Sequence, residues 1–153
     1  VVRFGSRVGV VEVVKANGNV LMKRSVAGDD AGPQLHPVCV EGQIHGGVVQ
    51  GWGLARWEGA VYDNNGQLVT GSMLDYALPR AHMLPQIETL STVTPSPHNP
   101  LGVKGVGETG TIASTVTVYN AVIDALRPLG VTHIDMPLTP EKVWQAIRQG
   151  QGS

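Results

Sequence analysis

The spacing of apolar residues changes several times along the chain, and each change marks an element. Residues 8–14 and 20–26 are rich in β-branched side chains, and Asn17-Gly18 between them is a strong short-range hairpin signal. From residue 40 to residue 57 the period becomes helical, with Ile44, Val48, Gly51 or Trp52, and Ala55 on one face. A second hairpin is predicted over residues 61–69 around Asn65-Gly66, and residues 87–93 alternate as a strand. Pro95, Pro97 and Pro100 then stiffen a long loop. Ala113, Val116, Val118, Ala121, Val122, Ala125 and Leu126 predict a helix that is apolar on more than one side and therefore buried, with Pro128 and Gly130 stopping it. Residues 131–136 read as a short strand. Thr139-Pro140-Glu141 reads as a capped helix start, with Val143 and Ile147 as its packing stripe. The sum is an α+β domain of mixed α/β layers, β-hairpins flanking about three helices, with residues 1–153 forming a single domain.

The predicted helix at 40–57 is unusual in its glycines. It carries Gly42, Gly46, Gly47, Gly51 and Gly53, and each interior glycine costs roughly 1 kcal/mol of helix stability relative to alanine. Such a cost is accepted where another backbone or a ligand must come close. Tight packing on a neighbouring element accounts for Gly51 and Gly53. Gly42, Gln43, Gly46 and Gly47 suit a glycine-rich helix start that offers N–H groups to an anion such as a pyrophosphate. Residues 29–33 and His36-Pro37 read as the loop that enters this helix.

A second cluster of glycines lies some sixty residues on. Gly105-Val106-Gly107-Glu108 runs at once into Thr109-Gly110-Thr111 and the next helical pattern. A carboxylate here sits on an open turn at a helix entrance, where the helix end favours negative charge. Glu108 is therefore either an ordinary complement to the helix dipole or a base with clear access to a ligand.

Composition narrows the classes. The chain has 153 residues, 42% of them hydrophobic, which is enough for one domain with a real core. No apolar run approaches the roughly 18 residues of a membrane span, and no signal peptide opens the sequence. A cytoplasmic location is the expectation from that. Net charge is −1 with Lys and Arg dispersed, which gives no footprint for nucleic acid. Cys39 is the only cysteine and is expected to be a small buried hydrophobe; the five histidines lack ligand spacing, so no metal ligand is assigned to the protein itself. Trp52, Trp57 and Trp144 are expected in the core or at interfaces. With 20 glycines and only 5% aromatic residues, the domain is expected to lean on neighbours. It opens on Val1 rather than Met, as a fragment, a processed product or part of a longer polypeptide would.

Read in order, three segments resemble the C-terminal part of the large subunit of the molybdenum hydroxylases, the family of xanthine dehydrogenase, aldehyde oxidoreductase and aerobic carbon monoxide dehydrogenase. They are Val40-Glu41-Gly42-Gln43-Ile44-His45-Gly46-Gly47 with Gln50-Gly51, then Gly71-Ser72-Met73-Leu74-Asp75-Tyr76-Ala77-Leu78-Pro79-Arg80, then residues 94–108 ending in Lys104-Gly105-Val106-Gly107-Glu108. The resemblance extends from about residue 10 to residue 147. It implies that Glu108 is the catalytic base that takes a proton from the water-derived oxygen. It also implies that Gly42, Gln43, Gly46 and Gly47 contact a molybdenum-molybdopterin cofactor, often the cytosine dinucleotide form, and that Lys104, Gly105 and Gly107 belong to the same cofactor site as the turn that positions the carboxylate.

The implied partners are the remainder of the large subunit and iron–sulfur and FAD subunits or domains, together with a small-molecule substrate. Self-association is left open. Where relatives commonly show Asn-Pro, this chain has His36-Pro37, and Ile112-Ala113-Ser114-Thr115 follows the Glu in place of small residues and a proline pair. The competing expectation is a noncatalytic relic or assembly module of the same fold. A free-standing nucleotide-binding domain fits less well, because the chain has no Gly-x-x-x-x-Gly-Lys-Ser/Thr loop.

Overall fold

The computed structural model describes residues 3–151. These form the predicted mixture of strands and helices: β1 (Phe4–Val14), β2 (Asn19–Asp30), α1 (Pro37–Arg56), β3 (Ile87–Thr92), α2 (Thr109–Leu126) and α3 (Pro140–Gly150). Strand order is β1-β2-β3, with β1 antiparallel to β2 and β3 parallel to it. The parallel pairing requires a crossover, which α1 and the segment after it provide.

The first hairpin turns where Asn17-Gly18 predicts. Gly18 takes φ 73°, a left-handed conformation that suits glycine, and sits against the start of α3. The strands run longer than the apolar pattern indicates, and Asp29 and Asp30, read from sequence as loop residues, are the last residues of β2. A register shift between Val10 and Val11 leaves Lys23 outside the backbone pairing with β1. This bulge moves the inward positions of β2 from Val20 and Met22 to Ser25, Ala27 and Asp29. It thereby turns Asp29 toward the helices.

Val20, Met22 and Ala27 pack with Ile44, Val48, Trp52 and Ala55 of α1 and with Val118, Val122 and Leu126 of α2. Val143 and Ile147 of α3 close the core, as their spacing predicts. The two long helices approach closely because α1 presents Gly47 and Gly51 to Gly110 and Ser114 of α2 where they cross. A Cβ on Gly47 would lie 2.8 Å from Gly110 Cα, and one on Gly51 would lie 2.9 Å from Thr115 N.

Three expectations need correction. Residues 131–136 form no strand; Val131 and Ile134 are buried, but their spacing does not alternate, and the following Leu138 N–H bonds the Ala55 carbonyl at the end of α1 instead of a sheet. The hairpin at 61–69 survives as a single bridge, Tyr62 to Leu68, because nothing buries either of its faces. Cys39 is exposed, since it lies in the first turn of α1 on the side away from the core. Trp144 is 38% exposed, with the Arg148 guanidinium over its ring, while Trp52 is buried and Trp57 half-buried.

Candidate functional site

The α1 helix begins at Pro37 rather than at the glycines. His36 is its N-cap, its Nδ1 accepting from the Cys39 N–H at 3.3 Å, and Pro37 occupies a position where a missing N–H is harmless. Gly42, Gln43 and Gly46 therefore lie in the second and third turns, on an exposed face, and not among the free N–H groups of the helix start. Gly42 and Gly46 adjoin open space, where an added Cβ would meet nothing within 4 Å. Gly47 faces inward against Gly110. No acidic residue occupies the first turn of α1, so nothing there offsets the positive end of its dipole.

The α1–α2 crossing brings the two glycine clusters together. Gly47 touches the first turn of α2, and Glu108 is the residue that caps that turn. The Glu108 side chain is 81% exposed and makes no capping bond to its own helix. Arg3 Nη2 holds Glu108 Oε2 at 2.9 Å.

Both ends of the Gly105–Glu108 turn are held from the end of β2. On one side, Asp29 pairs with Arg7 at 2.9 Å, the two side chains being 1% and 2% exposed, and Arg7 Nη2 also donates to the Thr109 carbonyl at 2.7 Å. On the other, Lys104 Nζ lies 2.9 Å from Asp30 Oδ1, again fully enclosed. Asp30 also accepts from the N–H groups of Gly32 and Thr94 and from the Thr92 hydroxyl. Burial works against the Asp30 carboxylate, but Lys104 and these donors outweigh it and hold its carboxyl well below the usual range. Asp29 goes the other way: burial pushes its carboxyl up, and Arg7 only partly offsets this.

Lys104, first read as part of a cofactor-contacting turn, thus has its ammonium committed to a buried ion pair, while its stem lines a cleft. That cleft, of about 280 Å³, runs between the first turns of α1, the loop around Pro33 and the 103–106 segment, and includes Gln43 and Cys39. Gly105 and Gly107 are exposed on the turn itself; a Cβ on Gly107 would meet nothing. Sequence reasoning missed Arg3, Arg7, Asp29 and Asp30. Arg3 and Arg7 lie near the start of β1, far in sequence from the motif, and only the acid pair Asp29-Asp30 gave a signal.

The residues present fit an anionic, pterin-type cofactor. The observations are the open surface at Gly42, Gly46 and Gly107, the undisturbed helix end beside the cleft, and buried His45 Nε2 and Thr109 Oγ1 atoms without a hydrogen-bond partner. Among the described residues, no group of three or more His, Cys, Asp or Glu side chains is arranged to hold a metal ion. None of the helices there is long and apolar enough to cross a membrane.

A half-open cleft beside a clamped carboxylate turn is an arrangement that suits a cofactor-binding domain. The family description "Molybdopterin cofactor-binding domain" matches residues 1–85, more than half the chain, and the chain belongs to that family. The carbon monoxide dehydrogenase large chain of Hydrogenophaga pseudoflava is 42% identical over 146 residues, covering 95% of this chain and 18% of the relative. The nicotine 6-hydroxylase large subunit of Paenarthrobacter nicotinovorans is also 42% identical, over 94% of this chain and 18% of its own length. Among solved structures, a Cu,Mo-CO dehydrogenase superposes with a TM-score of 0.92 at 36% identity, over 97% of this chain and 19% of that one. Quinoline 2-oxidoreductase from Pseudomonas putida 86 gives 0.91, also at 36%, over 95% and 18%. The chain therefore spans about a fifth of the length of these relatives. The expected mixed α/β fold and family are both borne out.

Proposed function

We propose that this chain is the C-terminal cofactor-binding and catalytic segment of a molybdenum hydroxylase, with Glu108 as its base. The whole enzyme oxidises a small carbonyl compound, an N-heterocycle or carbon monoxide. Two equally identical relatives carry carbon monoxide and nicotine in their names, which supports the class rather than one substrate. When bound, a molybdenum-molybdopterin group, in this reading the cytosine dinucleotide form, supplies a two-electron redox centre for transfer of water-derived oxygen to carbon. Iron–sulfur and FAD partners in the cytoplasmic assembly carry the electrons away.

The observation that carries the reading is the placement of Glu108. Its backbone is fixed from both sides by buried ion pairs, yet its carboxylate is exposed beside open glycine surface. Arg3 engages Oε2 and leaves Oε1 to accept a proton. Gly42, Gln43 and Gly46 offer a surface that a flat or phosphate-bearing ligand can approach, with the Gln43 carboxamide able to donate and accept. Gly47 sets the distance between that surface and the Glu108 turn; Lys104, Gly105 and Gly107 shape the turn.

The test is Glu108→Gln in the assembled enzyme from its native host, with molybdenum and pterin measured beside turnover. Loss of turnover by at least a hundredfold at full cofactor content is expected. Normal turnover would remove Glu108 from the base role.

A further inference from the structure

Between α1 and β3 the chain runs for about thirty residues with no helix beyond one short 3-10 turn at Ala81–Met83 and no strand beyond the Tyr62–Leu68 bridge. Loops of this length inside a compact domain usually carry a function. This one is wired to itself. Asp63 Oδ1 accepts from the N–H groups of Asn65 and Gln67 at 2.8 and 2.9 Å, and Val61 N–H bonds Thr70 Oγ1 at 3.0 Å. Ser72 and Asp75 close a second turn, and Tyr76 ties the far end to Glu58 at 2.7 Å.

This scaffold displays apolar side chains. Leu74 is 94% exposed and Met73 77%, with Val61, Tyr62, Leu68, Val69 and Leu78 also exposed. Between Gly59 and Leu78 the only charged residues are Asp63 and Asp75, and each is engaged in a turn of the arm. A surface meant for water carries mixed charges and few apolar side chains; this one has the reverse composition.

We propose that residues 60–78 are a preformed docking arm whose tip, Met73 and Leu74, inserts into an apolar recess on the part of the same large subunit that lies outside this chain. The inference rests on the family reading, since the relatives carry about four fifths of their length beyond the matched region. Size selects this occupant over a second copy of the chain. An arm of 19 residues with seven exposed large apolar side chains falls short of the roughly 20 to 30 residues per partner that hold separate molecules together. Within one polypeptide the contact is intramolecular and needs no such area. The ordered turns lower the entropy lost on docking.

The experiment uses the complete large subunit in its native assembly and reads amide hydrogen exchange and protease cleavage over residues 60–78, with particle mass by light scattering. In the unmodified assembly the arm should exchange slowly and resist cleavage. Leu74→Asp should raise cleavage within the arm at least tenfold with particle mass unchanged, and Gln67→Glu, on the same arm but polar, should not. An arm that is equally open to protease with and without Leu74→Asp would overturn the proposal. So would a fall to half the particle mass, which would make a second copy the occupant, or release of the other subunits. Neither readout depends on cofactor or turnover. A freely cleaved arm in an enzyme killed by Glu108→Gln sinks the docking inference alone, and a protected arm in an assembly without molybdenum sinks the functional reading alone.

Discussion

Alanine at three glycines of α1 separates ligand access from helix packing. Gly42 and Gly46 have nothing within 4 Å of an added Cβ, so each substitution should stabilise the fold by about 1 kcal/mol through helix propensity alone. At Gly47 the added Cβ would lie 2.8 Å from Gly110 Cα and 2.9 Å from Thr111 N, backbone that moves only if the helices separate. Overpacking of that kind costs about 3 kcal/mol, propensity returns about 1, and the net loss is about 2 kcal/mol. Thermal melting should therefore rise by about 2–4 °C for Gly42→Ala and for Gly46→Ala, and fall by about 4–8 °C for Gly47→Ala. Pterin content of the assembled enzyme should move differently from melting. If a cofactor lies against Gly46, Gly46→Ala lowers pterin content although it stabilises the protein. Unchanged pterin content with Gly46→Ala would refute the access argument, and a higher melting point with Gly47→Ala would refute the packing argument.

Other substitutions probe the supports of the site. Arg7→Met leaves Asp29 buried without a cation and the Thr109 carbonyl without its donor; chemical denaturation should show a loss of about 3–5 kcal/mol, much reduced when Asp29 is replaced by Leu at the same time. Asp30, whose folded-state carboxyl is lowered, contributes stability that is present above its unfolded value of about 4 and is lost as pH falls toward its folded value. Asp29, whose carboxyl is raised, contributes with the opposite sign, so its stabilising share is complete below about pH 4 and declines as pH rises through its folded value. Melting curves between about pH 2 and 5 should accordingly be flatter for Asp30→Asn than for the unmodified protein, and an unchanged slope would refute the assignment. At the start of α3, Thr139 Oγ1 accepts from Lys142 N–H, and Thr139→Ala should cost about 1 kcal/mol in the same denaturation assay.

Elements whose signal is local were legible in the sequence. The Asn17-Gly18 turn, the buried stripe of α1 and the Thr139 cap each depend on neighbours within a turn or two, and all occur where the pattern places them. Residues 131–136 were misread because their apolar residues fill a core corner without a strand partner, which sequence spacing does not reveal. The glycines of α1 had two causes that look alike in sequence: Gly47 and Gly51 face backbone, whereas Gly42 and Gly46 face space. The supports of Glu108 were hidden for another reason. Arg7 and Thr109 are 102 residues apart, and Asp30 and Lys104 are 74 apart. Each pairing also depends on side-chain directions at the end of β2, where the bulge had already changed the parity.

Those long separations divide the site between two stretches of chain. Arg3, Arg7, Asp29 and Asp30 all precede the exposed arm, while Lys104, Glu108 and Thr109 all follow it. A polypeptide severed near Asn64 therefore yields two complementary fragments, neither of which contains a positioned Glu108. Recombining them restores the carboxylate's setting only when every ionic link has been remade, so mixing the halves offers a direct way to time the assembly of the site.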